Sequence, residues 1–160
     1  MSDQLRFYKI CENAKLPVRE HLSDAGMDLF YCPEADSSLD CRWGMDKNEL
    51  WIAAGETCLV PTGLKAMIPK NHMLEIKNKS GIAFKQRLLV GACVVDSGYT
   101  GQIFVNLHNI GNQTQVLKPG QKIAQAVLVP IVTKPVIETL IDPSDLSTKR
   151  GSGGFGSTGV

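Results

Sequence analysis

Helical periodicity is almost absent from this chain, and that absence narrows what it can fold into. Apolar residues gather instead in short runs at Leu59–Val60, Leu64–Ile68, Met73–Ile76, Leu88–Val95, Ile103–Leu107 and Ile123–Val132. Runs of roughly 4 to 8 residues suit strands better than helices. Between them stand Pro61-Thr62-Gly63, Pro69-Lys70-Asn71, Asp96-Ser97-Gly98, Ile110-Gly111-Asn112 and Lys118-Pro119-Gly120, built from the residues that make tight turns. Ile103, Val105 and Leu107 alternate with Gln102, Asn106 and His108, as a strand with one buried face requires, although Phe104 interrupts the polar side. A single short helix is expected from Ser80 to Gln86, with Ser80 as its cap. The fold class that follows is all-β, a sandwich or a barrel.

The stretch Pro33–Asn48 reads as a long loop or an insertion between strands. From Pro143 the sequence turns polar and then glycine-rich, which places the end of the core near Ile141. The expected division is a β domain over residues 1–142 and a tail over 143–160.

A length of 160 residues suits one domain with a core large enough to need no disulfide or metal. Seventeen Lys plus Arg against sixteen Asp plus Glu leave a net charge of +1. Non-specific nucleic-acid binding draws on a strong basic excess, so no nucleic-acid partner is expected. Any phosphate this chain handles is held at a defined site. Cys11, Cys32, Cys41, Cys58 and Cys93 are irregularly spaced, with no Cys-x-x-Cys pair, and the three histidines are scattered. Zinc sites need clustered ligands, so free thiols in a reducing compartment are expected. The chain opens Met-Ser-Asp-Gln with no apolar run, and no stretch approaches the ~20 apolar residues of a membrane span. The expectation is a soluble, cytoplasmic protein with no membrane partner.

Five constellations carry possible chemistry. Ala25-Gly-Met-Asp28-Leu-Phe places a carboxylate at the edge of an apolar stretch, where a plain turn aspartate is the everyday alternative. Asn78-Lys79-Ser80-Gly81 opens the predicted helix, either as an anion site or as an ordinary cap. Gly91-Ala-Cys-Val-Val-Asp96-Ser-Gly-Tyr99-Thr-Gly-Gln102 reads as a hairpin tipped by one carboxylate and one ring. Val94 and Val95 precede Asp96, so desolvation is expected to raise its proton affinity into a range useful for a base. Gly120-Gln-Lys122-Ile-Ala-Gln125 is a strand with an amide among apolar residues, serving either as structural glue or as part of a polar site.

The last constellation is Arg150-Gly-Ser-Gly-Gly-Phe155-Gly156-Ser157-Thr158-Gly. Its glycines let successive N–H groups approach an anion, while Arg150, Ser157 and Thr158 add a permanent charge and two hydroxyls. Phe155 is then free to stack on a base. It lacks the Lys-Ser/Thr and helix of a Walker loop, and composition alone favours a disordered Gly/Ser tail.

In this order and spacing, from Ala25 to Gly159, the five constellations resemble the motifs of the trimeric deoxyuridine triphosphatase (dUTPase) family. The Asp96 hairpin and the terminal arm are the most specific parts. The resemblance implies a jelly-roll-like β fold with a flexible C-terminal arm, a homotrimer with shared active sites, and Mg²⁺-dependent hydrolysis of dUTP to dUMP and pyrophosphate. It implies that Asp96 activates the attacking water and that Tyr99 packs on the deoxyribose. The backbone of Cys93, Val94 and Val95, and again near Phe104, would read the uracil edge. Lys79, Ser80 and Gly81 would contact phosphates, Gln125 would hold water at the centre, and Asp28 would hold the metal through water. Arg150, Gly156, Ser157 and Thr158 would close on the γ-phosphate while Phe155 covers the base.

Two positions depart from the family pattern. Asn78-Lys79 stands where Pro-Arg is usual, which keeps the charge and loses the planar fork. Cys93 stands where a glycine is common. The related dCTP deaminases rely on a pocket glutamate, and this hairpin carries Gln102 with no Glu nearby.

Overall fold

The computed structural model describes residues 4–35, 48–146, 148 and 151–152. Every strand pair in it is antiparallel. Strand β1 (Arg6–Lys9) pairs with β5 (Leu64–Met67), and β3 (Leu50–Ile52) pairs with β10 (Gln115–Leu117). A three-stranded sheet runs β4 (Thr57–Pro61), β9 (Phe104–Asn109), β7 (Leu88–Val90). A four-stranded sheet runs β2 (Met27–Phe30), β11 (Lys122–Pro130), β6 (His72–Lys77), β8 (Val94–Asp96). The one α-helix among the described residues, α1, spans Ser80–Gln86.

These sheets share one interior. Leu29, Leu50, Leu64, Leu74, Leu107 and Ile123 come from six strands, and each is fully buried. Burying one such side chain is worth about 1.5–3 kcal/mol. Strand β9 shows the period-2 pattern expected of it, with Val105, Leu107 and Asn109 inward. Asn109 is buried yet satisfied: its amide donates to the carbonyls of Ile52 (2.9 Å) and Gln113 (2.8 Å).

The predicted helix has the predicted ends, but its N-cap is Lys79, and no side chain caps the first turn. The run Leu88–Val95 divides at Gly91, so β7 serves one sheet and β8 the other. A Cβ at Gly91 would collide with the His108 ring and the Asn106 amide, because the backbone passes directly over β9 there.

Buried packing stops sooner than Ile141. Strand β11 ends at Pro130, while Val132, Val136, Ile137, Leu140 and Ile141 are exposed. Their apolar character suggested core; their position beyond the last strand leaves them nothing to pack on among the described residues. The free-thiol expectation holds at Cys11, Cys32 and Cys93 and fails at Cys58, which is disulfide-bonded. Sequence spacing carries no information on which sulfurs meet in space. Among the described residues no helix is long and apolar enough to cross a membrane.

Candidate functional site

The β8 hairpin is held from three sides. Strand β8 pairs with β6, which sets Asp96 opposite Met73. The chain then turns, with the Tyr99 amide donating to the Asp96 carbonyl (3.0 Å). The Tyr99 hydroxyl folds back to the Gln102 carbonyl (2.9 Å). Gln102 in turn accepts from the Gly63 amide (2.9 Å) and donates to the Ala35 carbonyl (3.4 Å). At the hairpin's base, the Asn106 side chain accepts from the Ala92 amide (3.2 Å) and the Asn78 side chain accepts from the Val90 amide (2.7 Å).

Under this hairpin lies a cleft of about 210 Å³, lined by Val94, Val95, Asp96, Tyr99, Ile103 and Phe104 among others. Phe104, the residue that broke the polar side of β9, belongs to its wall. The cleft is smaller than the ~300–1,000 Å³ usual for a whole ligand. That volume suits one flat, partly apolar group rather than a whole ligand. Asp96 itself is exposed. Val94 is exposed as well, so that residue does not supply the apolar cover expected over Asp96. The Cys93 carbonyl accepts from the Ile76 amide (2.7 Å), so it is tied into the sheet beside the cleft.

A second group forms around Asp28. Strand β2 is buried along its whole length, which carries Asp28 inside with it, 5% exposed. Its two oxygens are occupied: Lys79 Nζ lies 2.7 Å from Oδ1 and Lys122 Nζ lies 2.7 Å from Oδ2. Lys122 also reaches Glu20 (2.9 Å). Burial pushes the Asp28 carboxyl up, but hydrogen bonds from Lys122 and Lys79 more than offset it, and the net shift is below the usual carboxylate range. The same contacts, Asp28 first and Glu20 second, push Lys122 up to about 12.

A register shift in β11 between Lys122 and Ala124 makes this arrangement possible. In a regular strand Lys122 and Gln125 would face opposite ways. The bulge turns both toward the Asp28 side: Gln125 sits opposite Asp28 in the ladder and donates to the Asn78 carbonyl (2.9 Å). Lys79, Asn78, Lys122 and Gln125 are thereby gathered at the start of α1, where Ser80 and Gly81 are exposed.

The predicted residues therefore fall into two groups. Val94, Val95, Asp96, Tyr99 and Phe104 line the cleft; Asp28, Lys79, Ser80, Gly81 and Gln125 gather by α1 and do not line it. Arg150, Phe155, Gly156, Ser157 and Thr158 lie outside the described residues. The sequence motifs contain Asn78, Gln102 and Lys122 without marking a role for them, and Asn106 falls outside them. The only early sign of Lys122 was its place three residues before Gln125, and the bulge that aims it is invisible in the sequence.

Asp28 was expected to hold a metal through water, and the structure gives it two ammonium partners instead. Among the described residues no three His, Cys, Asp or Glu side chains gather as a metal cage. Among the described residues, the groups around Asp28 are two ammoniums, which occupy both of its oxygens.

Residues 45–159 match the model of the dUTPase family. The chain belongs to the dUTPase family. Similar curated relatives include the deoxyuridine 5'-triphosphate nucleotidohydrolase of Gloeothece citriformis, 37% identical over 159 residues, 98% of this chain and 97% of that one. The enzyme of the same name from Oryza sativa subsp. japonica is 36% identical over 156 residues, 98% of this chain and 81% of that one. Among solved structures, a dUTPase variant of Staphylococcus bacteriophage 80alpha with dUpNHpp superposes with a TM-score of 0.81. It covers 99% of this chain and 100% of its own at 22% identity. A variant dUTPase from phage phi11 of S. aureus, described with a structural Mg(II) ion, has a TM-score of 0.71 at 22% identity and covers 87% and 98%. These likenesses establish the dUTPase fold, mostly β with one short helix.

Proposed function

We propose that this chain hydrolyses dUTP to dUMP and pyrophosphate, with Asp96 as the general base. The observation that carries the reading is the cleft under the β8 hairpin, where one carboxylate and one aromatic ring share apolar walls. Uracil enters between Val94, Val95 and Phe104, and the hairpin backbone reads its polar edge. Tyr99, tethered through its hydroxyl to Gln102, lies flat against the deoxyribose and leaves no room for a 2'-hydroxyl. A water near Asp96 loses its proton to the carboxylate while its oxygen attacks the α-phosphorus, and pyrophosphate leaves. Such chemistry asks the protein for positioning and charge neutralisation more than for covalent participation.

Lys79 and the first amides of α1, at Ser80 and Gly81, receive the phosphates. Asp28 acts through Lys79 and Lys122 and is a positioning residue. Mg²⁺ would accompany the triphosphate and supply charge neutralisation there, and no protein step is routed through it.

An exposed Asp96 needs a cover to exclude bulk water. The arm supplies that cover, with Arg150, Gly156, Ser157 and Thr158 on the γ-phosphate and Phe155 over the base. A homotrimer is part of the same reading. Val136 and Leu140 are 101% and 99% exposed, so the apolar segment after β11 lacks any partner within its own described chain. The separation of the cleft group from the phosphate group fits sites completed by neighbouring subunits.

The direct test is Asp96→Asn. Turnover of dUTP should fall roughly a hundred- to ten-thousandfold, while affinity for dUpNHpp stays within a factor of about three. Full turnover in the variant would remove Asp96 as the base.

A further inference from the structure

Cys11 and Cys32 bring their sulfurs to 3.1 Å, although 21 positions separate them in sequence. Cys11 follows β1 and is half-buried, whereas Cys32 follows β2 and is buried. Each begins a tight turn: the Ala14 amide donates to the Cys11 carbonyl and the Ala35 amide to the Cys32 carbonyl, both at 3.3 Å. Gly63 lies against the pair. A Cβ there would sit 3.1 Å from either sulfur and 2.7 Å from the Ala14 methyl, and its φ of +71° is one that glycine tolerates.

Gly63 also touches the reaction site. Its amide donates to the side chain of Gln102 (2.9 Å), the residue whose carbonyl anchors the Tyr99 hydroxyl. Its carbonyl accepts from the Ile10 amide (2.9 Å), next to Cys11. The thiol pair, Gly63, Gln102 and Tyr99 are thus linked by direct contacts.

We propose that Cys11 and Cys32 form a redox-modification site, closing to an intramolecular disulfide that acts on the Tyr99 hairpin through Gly63 and Gln102. The sulfurs need to approach by only about 1 Å to reach the ~2.05 Å of a bond. The co-reactant is a low-molecular-weight disulfide. Cys11, the more accessible sulfur, attacks it as thiolate and expels one thiolate, leaving a mixed disulfide. Cys32 then loses its proton to solvent and attacks the Cys11 sulfur, expelling the second thiolate. Two S–H bonds are lost, one S–S bond forms, and the oxidant is reduced to two thiols. Burial, then the hydrogen bond with Cys11, pushes the Cys32 thiol up to about 12. That makes Cys32 the slower, resolving partner.

The test is titration of the full chain with oxidised glutathione, read by mass, non-reducing peptide mapping and free-thiol count. The expected product has lost two hydrogens, carries no glutathione and yields a peptide linking Cys11 to Cys32. Its Tm rises by about 5–10 °C, as closing a loop of this length entails, and dithiothreitol reverses the change. Cys11→Ser and Cys32→Ala each abolish it, and Cys93→Ser does not. Absence of the linked peptide, or a stable glutathione adduct on Cys11, would overturn the site. Oxidised protein should also show at least a twofold change in kcat/KM for dUTP that Cys11→Ser lacks. A linked peptide with unchanged kinetics would overturn the coupling to the hairpin. The thiol measurements stand apart from the proposed hydrolysis, so failure of one is distinguishable from failure of the other.

Discussion

Asp28 is the residue whose surroundings differ most from what its motif suggests. A carboxylate this buried is tolerable because two ammoniums meet it, each at 2.7 Å. Asp28→Asn should keep the shape, lose both ion pairs and lower stability by about 1–3 kcal/mol in denaturant unfolding. The pH dependence has a definite sign. A carboxyl depressed in the folded state contributes stability that is full above its unfolded value, near 3.8, and is lost as pH falls through the lower folded value. The gap between wild type and Asp28→Asn should therefore hold from neutral pH to about 5 and close in stronger acid. A gap that persists undiminished at pH 2 would contradict the assignment. Asp28→Asn should also raise KM for dUTP, because Lys79 loses the partner that orients it. The motif was legible in the sequence. Its partners were not, since Lys79 stands 51 positions away and Lys122 further still.

At the scale of elements, the β8 hairpin depends on where the chain crosses between sheets. Gly91→Ala should push the Asn106 and His108 side chains aside, and His108 is not free to yield, being 2.7 Å from the Thr57 hydroxyl. The expected loss is about 1–3 kcal/mol of stability with a rise in KM, measured by unfolding and steady-state kinetics. An unchanged variant would show that Asn106 does not fix the hairpin base. Much of the element level was readable in advance. The helix from Ser80 to Gln86 and the strands near Leu64, Met73 and Ile123 lie where apolar period and turn residues put them. Strands β1, β3 and β10 escaped notice because each is only three or four residues of backbone pairing, too short to carry a period. The split at Gly91 and the β11 bulge escaped for another reason. Both are set by contacts with β9 and β2, which no local window contains.

On the scale of the whole molecule, one chain holds both groups of site residues but leaves them apart, with an apolar segment after β11 unpacked. Sedimentation should report a particle of about three times the 17.4 kDa chain; a monomer at working concentration would contradict shared sites. Removing the residues after Lys149 should lower kcat for dUTP at least about a hundredfold with Tm unchanged, and an unchanged rate would refute the cover. The central claim is that the cleft admits uracil on a deoxyribose and directs water to the α-phosphorus. Pyrophosphate release from dUTP, dTTP, dCTP and UTP, with and without Mg²⁺, tests it most directly. The account predicts rapid release from dUTP with Mg²⁺ and rates lower by at least about a hundredfold for the other three. Comparable release from all four would contradict it.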